Sequence, residues 1–195
     1  MKKALLFIAI SFATVALLLT GNVSTAQVVL KQNGKTGISV EQTDFAGMRV
    51  KSTLSSLNNL EVNTDKGLFT EISANGYSYA VEEGYPKLPV MRKLIEVPVG
   101  ASIEIDVVSY DVREYNLNDL GINSRIIPAQ APVAKNQTEE IPLLINNKVY
   151  GSNSFYGKEL ASAEILGFMR GTRMARLDIS PVEYNPVSGV IRVYD

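Results

Sequence analysis

The chain has 195 residues with 19 basic and 20 acidic side chains, a formal net charge of −1. It contains no histidine and no cysteine. Those two zeros exclude Ser–His and Cys–His nucleophile pairs, disulfide scaffolds and the usual zinc sites, so neither a cofactor nor a metal is expected. The near-even charge, without a basic block, argues against nucleic acid as a partner.

Lys2-Lys3 form a positive start, and Ala4 to Leu19 form an apolar core broken only by Ser11 and Thr14. Small residues then lead to Ser24-Thr25-Ala26. This is the pattern of a helical, secretory signal peptide over residues 1–26, cleaved between Ala26 and Gln27. Its apolar core is short for a bilayer span of ~20 residues, so no stable membrane anchor is expected after removal. The exported chain, residues 27–195, then has 169 residues, 17 basic against 20 acidic, and is long enough for one domain with its own core.

Asn33-Gly34 reads as a tight turn between Val28-Val29-Leu30 and Ile38-Ser39-Val40. Met48 to Leu60 reads as strand, and Asp65-Lys66-Gly67 turns the chain into a strand over Leu68 to Ile72. Asn75-Gly76 is a further turn. Gly84 to Gly100 (G-Y-P-K-L-P-V-M-R-K-L-I-E-V-P-V-G) is the stretch on which the rest is expected to pack. Pro86, Pro89 and Pro98 forbid a helix there. Met91 to Val97 reads as a central strand covered on both faces. Ile103, Ile105 and Val107 alternate with Ser102, Glu104 and Asp106, which predicts a half-buried antiparallel strand.

Asp119-Leu120-Gly121 ends the next segment. Ala129 to Glu140 (A-Q-A-P-V-A-K-N-Q-T-E-E) has almost no large apolar residue and no period, and reads as a long exposed loop. Ile141 to Ile145 re-enters the fold, and Tyr150 to Gly157 is a second loop. Strands follow over Ala163 to Phe168, Met174 to Ile179 and Val190 to Tyr194, with Arg170-Gly171-Thr172-Arg173 as a solvated turn. Asn185 to Gly189 is predicted to join the last two as a hairpin loop. Many short strands and no convincing helix after the leader predict an all-β fold, an antiparallel β-sandwich of jelly-roll type.

Chemistry is sparse. Glu82-Glu83 and Glu139-Glu140 are adjacent in loop-like sequence and would diverge, which does not suit the paired acids of a glycosidase. The nine tyrosines could line a carbohydrate platform if they were exposed in a strip. A secreted binding module for carbohydrate or protein is therefore the alternative reading from composition. Lys135 is the only basic residue of the Ala129 to Glu140 loop, with Arg125 just before it.

Gly84-x-Pro86-x-Leu88-Pro89-Val90, Arg92-Lys93-Leu94-Ile95-x-Val97-Pro98-Val99-Gly100-Ala101, Leu166-Gly167-x-Met169-Arg170-Gly171-x-Arg173 and Ile179-x-Pro181-Val182-x-Tyr184-Asn185-Pro186-Val187 carry a resemblance. With Glu159-Leu160, they resemble the N-terminal propeptide of the gingipain family of secreted cysteine endopeptidases, closest to its lysine-specific branch. The resemblance implies a β-sandwich, not an enzyme itself, that keeps a cognate cysteine peptidase catalytic domain latent, in cis or in trans, during export. It implies the N-terminal part of a longer precursor and a location in the periplasm, at the outer surface or outside the cell. It also implies that a basic residue on a loop enters the pocket that selects basic substrates. Counted back from Glu139-Glu140-Ile141-Pro142, that position falls on Ala134 or Lys135, with Arg125 as the next basic candidate.

Overall fold

The computed structural model describes residues 25–30, 34–44, 47–136 and 141–195. In chain order the strands are β1 (Thr25–Val29), β2 (Gly37–Thr43), β3 (Met48–Thr53), β4 (Ser56–Thr64), β5 (Gly67–Ser73), β6 (Ser78–Tyr79), β7 (Pro89–Glu96) and β8 (Val112–Asn116). A 3-10 turn (Asn118–Leu120) follows, then β9 (Arg125–Ile126), the single-turn helix α1 (Asn147–Tyr150), β10 (Ala161–Met169), β11 (Thr172–Ile179), β12 (Val182–Asn185) and β13 (Val190–Tyr194). The leader expected over residues 1–26 lies outside the described residues apart from its last two.

The strands form sheets in the orders β1-β4-β5-β9, β10-β11-β7-β6, β12-β13-β8 and β2-β3. All described pairings are antiparallel except β5 with β9. The core lies between the first and third sheets. Leu57 of β4, Ile72 of β5 and Ile126 of β9 pack with Val182 and Tyr184 of β12 and Ile191 and Val193 of β13. Removing such side chains from water contributes roughly 1.5–3 kcal/mol each, and this is what holds the two layers together. The all-β sandwich expected from the turn spacing is thus the observed fold.

Local chemistry sets the turns. The β4–β5 hairpin closes where the Thr64 hydroxyl donates to the Gly67 carbonyl at 2.8 Å and accepts from the Lys66 N–H at 3.1 Å. The β10–β11 hairpin turns on Arg170 and Gly171, both with positive φ, the combination a two-residue primed turn requires. At the end of the chain the Asn185 side chain accepts from the Val187 and Ser188 N–H groups, and Gly189 N–H returns to the Asn185 carbonyl at 3.0 Å.

Several sequence expectations are corrected. The alternating Ile103 to Val107 segment forms no ladder, and Ile105, Val107, Val108 and Tyr110 are exposed. The Arg173 guanidinium donates to the Pro98 and Ala101 carbonyls at 2.8 and 2.7 Å, holding the Pro98-Gly100-Ala101 turn where a neighbouring strand would begin. The expected central strand, β7, lies between β11 and β6 but is buried only over Pro89, Val90 and Met91; Leu94 is 58% exposed. Its far half runs past the core and is not covered on both faces. The segments flanking Asn33-Gly34, of which Asn33 is outside the described residues, do not pair with each other: β1 joins β4 and β2 joins β3. The final hairpin joins β12 to β13, because Ser180-Pro181 breaks the chain after β11 and a separate strand follows. A single helical turn, α1, stands where the sequence suggests a turn at Asn146-Asn147 and the start of a loop at Tyr150, capped by the Asn146 side chain accepting from Val149 N–H.

Candidate functional site

The glycine turn at the head of the proline-punctuated stretch is also the foot of the exposed loop. Tyr85 N–H closes a turn onto the Glu82 carbonyl at 3.1 Å, with Gly84 at φ +79°. A Cβ at Gly84 would stand 2.9 Å from the backbone nitrogen of Asn146, so the position has no room for a side chain. That close approach lets the Asn146 N–H donate to the Gly84 carbonyl at 3.0 Å. On the other side, Gly84 N–H donates to the Ala129 carbonyl at 2.9 Å and Ala129 N–H to the Tyr85 carbonyl at 2.7 Å. Lys87 N–H continues this pairing onto the Ile127 carbonyl at 2.9 Å. One turn therefore grips the chain just before the loop leaves and just after it returns.

The loop itself begins later than the sequence suggests. Ala129 is buried and Gln130 is half-buried, whereas Ala131 to Asn136 are all exposed. Ala129 is covered because its backbone completes the ladder with Tyr85, and a small side chain fits that depth. Gln130 closes the loop's base: its Nε2 donates to the Leu144 carbonyl at 2.9 Å and its Oε1 accepts from the Leu144 N–H at 2.8 Å. Glu139 and Glu140 lie outside the described residues.

Lys135 sits at a turn in this exposed segment and makes no hydrogen bond or ion pair with any described residue. Ala134 precedes it, equally exposed but without a charge to offer. Arg125 is different. Its guanidinium lies over the Phe69 ring at 5.8 Å and the Tyr150 ring at 5.6 Å, both rings buried. Tyr150 in turn donates its hydroxyl to the Ile126 carbonyl at 2.8 Å, and burial pushes its phenol well above the usual tyrosine range. Arg125 is itself exposed, but its guanidinium rests against two buried rings, a cation–π arrangement that a pocket on another molecule would have to break.

The other side chains singled out in the sequence fall elsewhere. Glu82 pairs with Lys158, while Glu83 is exposed, so the two carboxylates do not face a common point. Among the described tyrosines only Tyr79 and Tyr110 are exposed. Tyr79 is covered by the Lys87 ammonium at 4.0 Å and Tyr110 is edge-on to Tyr194 at 5.5 Å, so they do not form a strip. Gln130 was not foreseen. Its only sequence signal is that it is a long amide in a run of alanines and prolines.

The Propeptide_C25 family model matches residues 31–195. The chain belongs to the Propeptide_C25 family. It is accordingly a propeptide, not itself catalytic. Lys-gingipain of Porphyromonas gingivalis is 38% identical over 134 residues, which span 68% of this chain and 8% of that protein. Gingipain R1 of the same organism is 25% identical over 185 residues, 95% of this chain and 18% of that protein. A solved structure bearing on the zymogenic latency of gingipain K from Porphyromonas gingivalis superposes with a TM-score of 0.82 at 32% identity, over 88% of this chain and 94% of the other. The complex of Porphyromonas gingivalis RgpB pro- and mature domains superposes with a TM-score of 0.68 at 21% identity, over 80% of each chain, and shares the fold.

Proposed function

We propose that this chain confers latency on a gingipain-type cysteine endopeptidase, and that Lys135 is the residue it presents to the pocket selecting basic substrates. The observation that carries the choice of residue is the contrast between the two basic candidates. Lys135 is exposed and unpaired among the described residues on a turn whose base is fixed, whereas Arg125 is stacked over Phe69 and Tyr150. Ala134 has no group with which to satisfy an acidic pocket. An ammonium desolvated against a carboxylate across an interface couples by ~1.5–7 kcal/mol, and the surrounding sandwich supplies area but little selectivity.

In the same reading the chain is exported by residues 1–26, and the peptidase domain is the partner, in cis or in trans. Cleavage after Ala26 leaves Gln27, Val28 and Val29 in register with Asn58, Leu57 and Ser56 of β4, so the edge strand survives processing. N-terminal sequencing of the exported chain checks the cut, and any first residue within the described core would refute it.

The test of function is inhibition of a lysine-specific gingipain-type peptidase by the exported chain beside its Lys135→Ala variant. The wild-type chain is expected to inhibit, and the variant to do so at least ten-fold more weakly, ~1.4 kcal/mol. Equal inhibition by both would remove Lys135 from the role. No inhibition by the folded wild-type chain would remove the latency reading for that class of enzyme.

A further inference from the structure

We propose that Gln130 is a positioning residue, a side-chain clamp that fixes the base of the loop so that Lys135 is presented at a set reach and direction. The proposal rests on the reading above that this loop is the inhibitory element. Backbone segments that flank a loop are ordinarily held by a neighbouring strand, each residue exchanging its N–H and C=O with a partner. Here the partner is a side chain. A primary amide carries one acceptor and a pair of donor hydrogens, and Gln130 uses them as a peptide group would: it accepts from Leu144 N–H at 2.8 Å and donates to Leu144 C=O at 2.9 Å. Its Nε2 is also within 3.0 Å of the Ala129 carbonyl and 3.2 Å of the Pro128 carbonyl, so the amide is oriented from its own side as well.

Burial does not do this work instead. On the returning arm Leu143 is buried and its N–H lies 3.4 Å from the Asp65 carboxylate, but Leu144 is 50% exposed and every residue from Ala131 to Asn136 is exposed, so no apolar packing fixes the outgoing arm beyond the clamp. Below the clamp both arms are already tied to the Gly84 turn, through Ala129 on one side and Asn146 on the other. Gln130 thus extends the rigid base outward by one more pairing, to the last residue before the exposed segment Ala131 to Asn136. A loop ordered in advance loses less conformational freedom when its tip enters a pocket, and this difference is read as affinity.

Only the donor–acceptor pair is needed, so the informative substitutions keep size and remove polarity. Gln130→Met is close in shape and cannot bond to Leu144; Gln130→Ala removes the side chain altogether. Both are compared with Lys135→Ala and with the double variant Gln130→Met/Lys135→Ala. The measurements are the inhibition constant toward the lysine-specific peptidase, hydrogen exchange at the Leu144 amide and the melting temperature. The expected result is about tenfold weaker inhibition by both Gln130 variants, faster exchange at Leu144, and a melting temperature within a few degrees of wild type.

Inhibition in the double variant separates positioning from general stability. If Gln130 acts through Lys135, the methionine costs little once Lys135 is gone, so the two effects fall short of additive. Full additivity overturns the positioning role. So does unchanged inhibition by Gln130→Met alongside faster exchange at Leu144, while weakened inhibition by Lys135→Ala in the same assay leaves the latency reading standing. If Lys135→Ala inhibits like wild type, Lys135 loses its role and the claim that Gln130 positions it falls with it.

Discussion

Replacing Gly84 by alanine tests whether the glycine turn is the anchor of the loop. Gly84 holds φ +79°, a left-handed conformation that costs an L-residue roughly 1–2 kcal/mol. Its new Cβ would meet the Asn146 nitrogen at 2.9 Å, a backbone atom that cannot rotate away. The hydrogen bond from Asn146 N–H to the Gly84 carbonyl must then lengthen or break, and leaving such a buried pair unmade costs about 1–3 kcal/mol. The lower entropy of an unfolded chain with alanine in place of glycine returns ~0.4–1 kcal/mol. The net loss is about 2–4 kcal/mol, which lowers the melting temperature of a domain this size by roughly 5–15 °C. Gly76 supplies the control: it has φ +80°, yet a Cβ there meets nothing within 4 Å. Gly76→Ala should therefore lose only the conformational part, about 1 kcal/mol. Thermal unfolding of the two variants side by side decides the matter, and equal losses would show that the approach to Asn146 contributes nothing.

Arg125→Met keeps the aliphatic reach of the side chain and removes its charge from above Phe69 and Tyr150. It should cost ~0.5–1 kcal/mol in urea unfolding and leave inhibition unchanged; weakened inhibition at unaltered stability would return Arg125 to the list of pocket residues. Tyr150→Phe removes the donor to the Ile126 carbonyl and should cost about 1 kcal/mol at neutral pH. Because burial raises the phenol's pKa in the fold, the folded chain keeps a proton that the unfolded chain releases above about pH 10, so wild-type stability should fall as pH rises past that point. The phenylalanine variant should fall less steeply, and an identical alkaline limb would refute the assignment to Tyr150.

The parts of the fold that could be read in advance were those where pattern and partner are local. Asp65-Lys66-Gly67 announces a hairpin, and the strand expected over Met174 to Ile179 is present, with Ala175 and Leu177 buried and Ile179 half-buried on one side. Ile103, Ile105 and Val107 carry the same alternation without a ladder. Alternation states that one face is apolar; it does not state that a free sheet edge lies within reach. There the Pro98-Gly100 turn and the Arg173 guanidinium direct the backbone elsewhere. The loop was legible from its lack of large apolar residues, but its start was placed too early, because Ala129 is buried by a backbone contact that leaves no mark on composition. The Gln130 clamp is invisible for a related reason. Sequence patterns register what side chains prefer on average, whereas this amide acts as a single piece of strand edge for one residue distant in the chain.

The Gly84 turn divides the region into a mount and a reader. The mount is made of buried glycine, ladder hydrogen bonds and the Asn146 cap, and a change there disturbs several contacts at once. The reader, Ala131 to Asn136, is exposed throughout and contributes no side chain to the core. Substitutions at such exposed positions ordinarily shift stability by no more than about 0.5 kcal/mol. On the role proposed for Lys135, the tip could be rewritten to suit a different pocket while the scaffold that carries it stays the same, and selectivity and foldability would then rest on separate sets of residues.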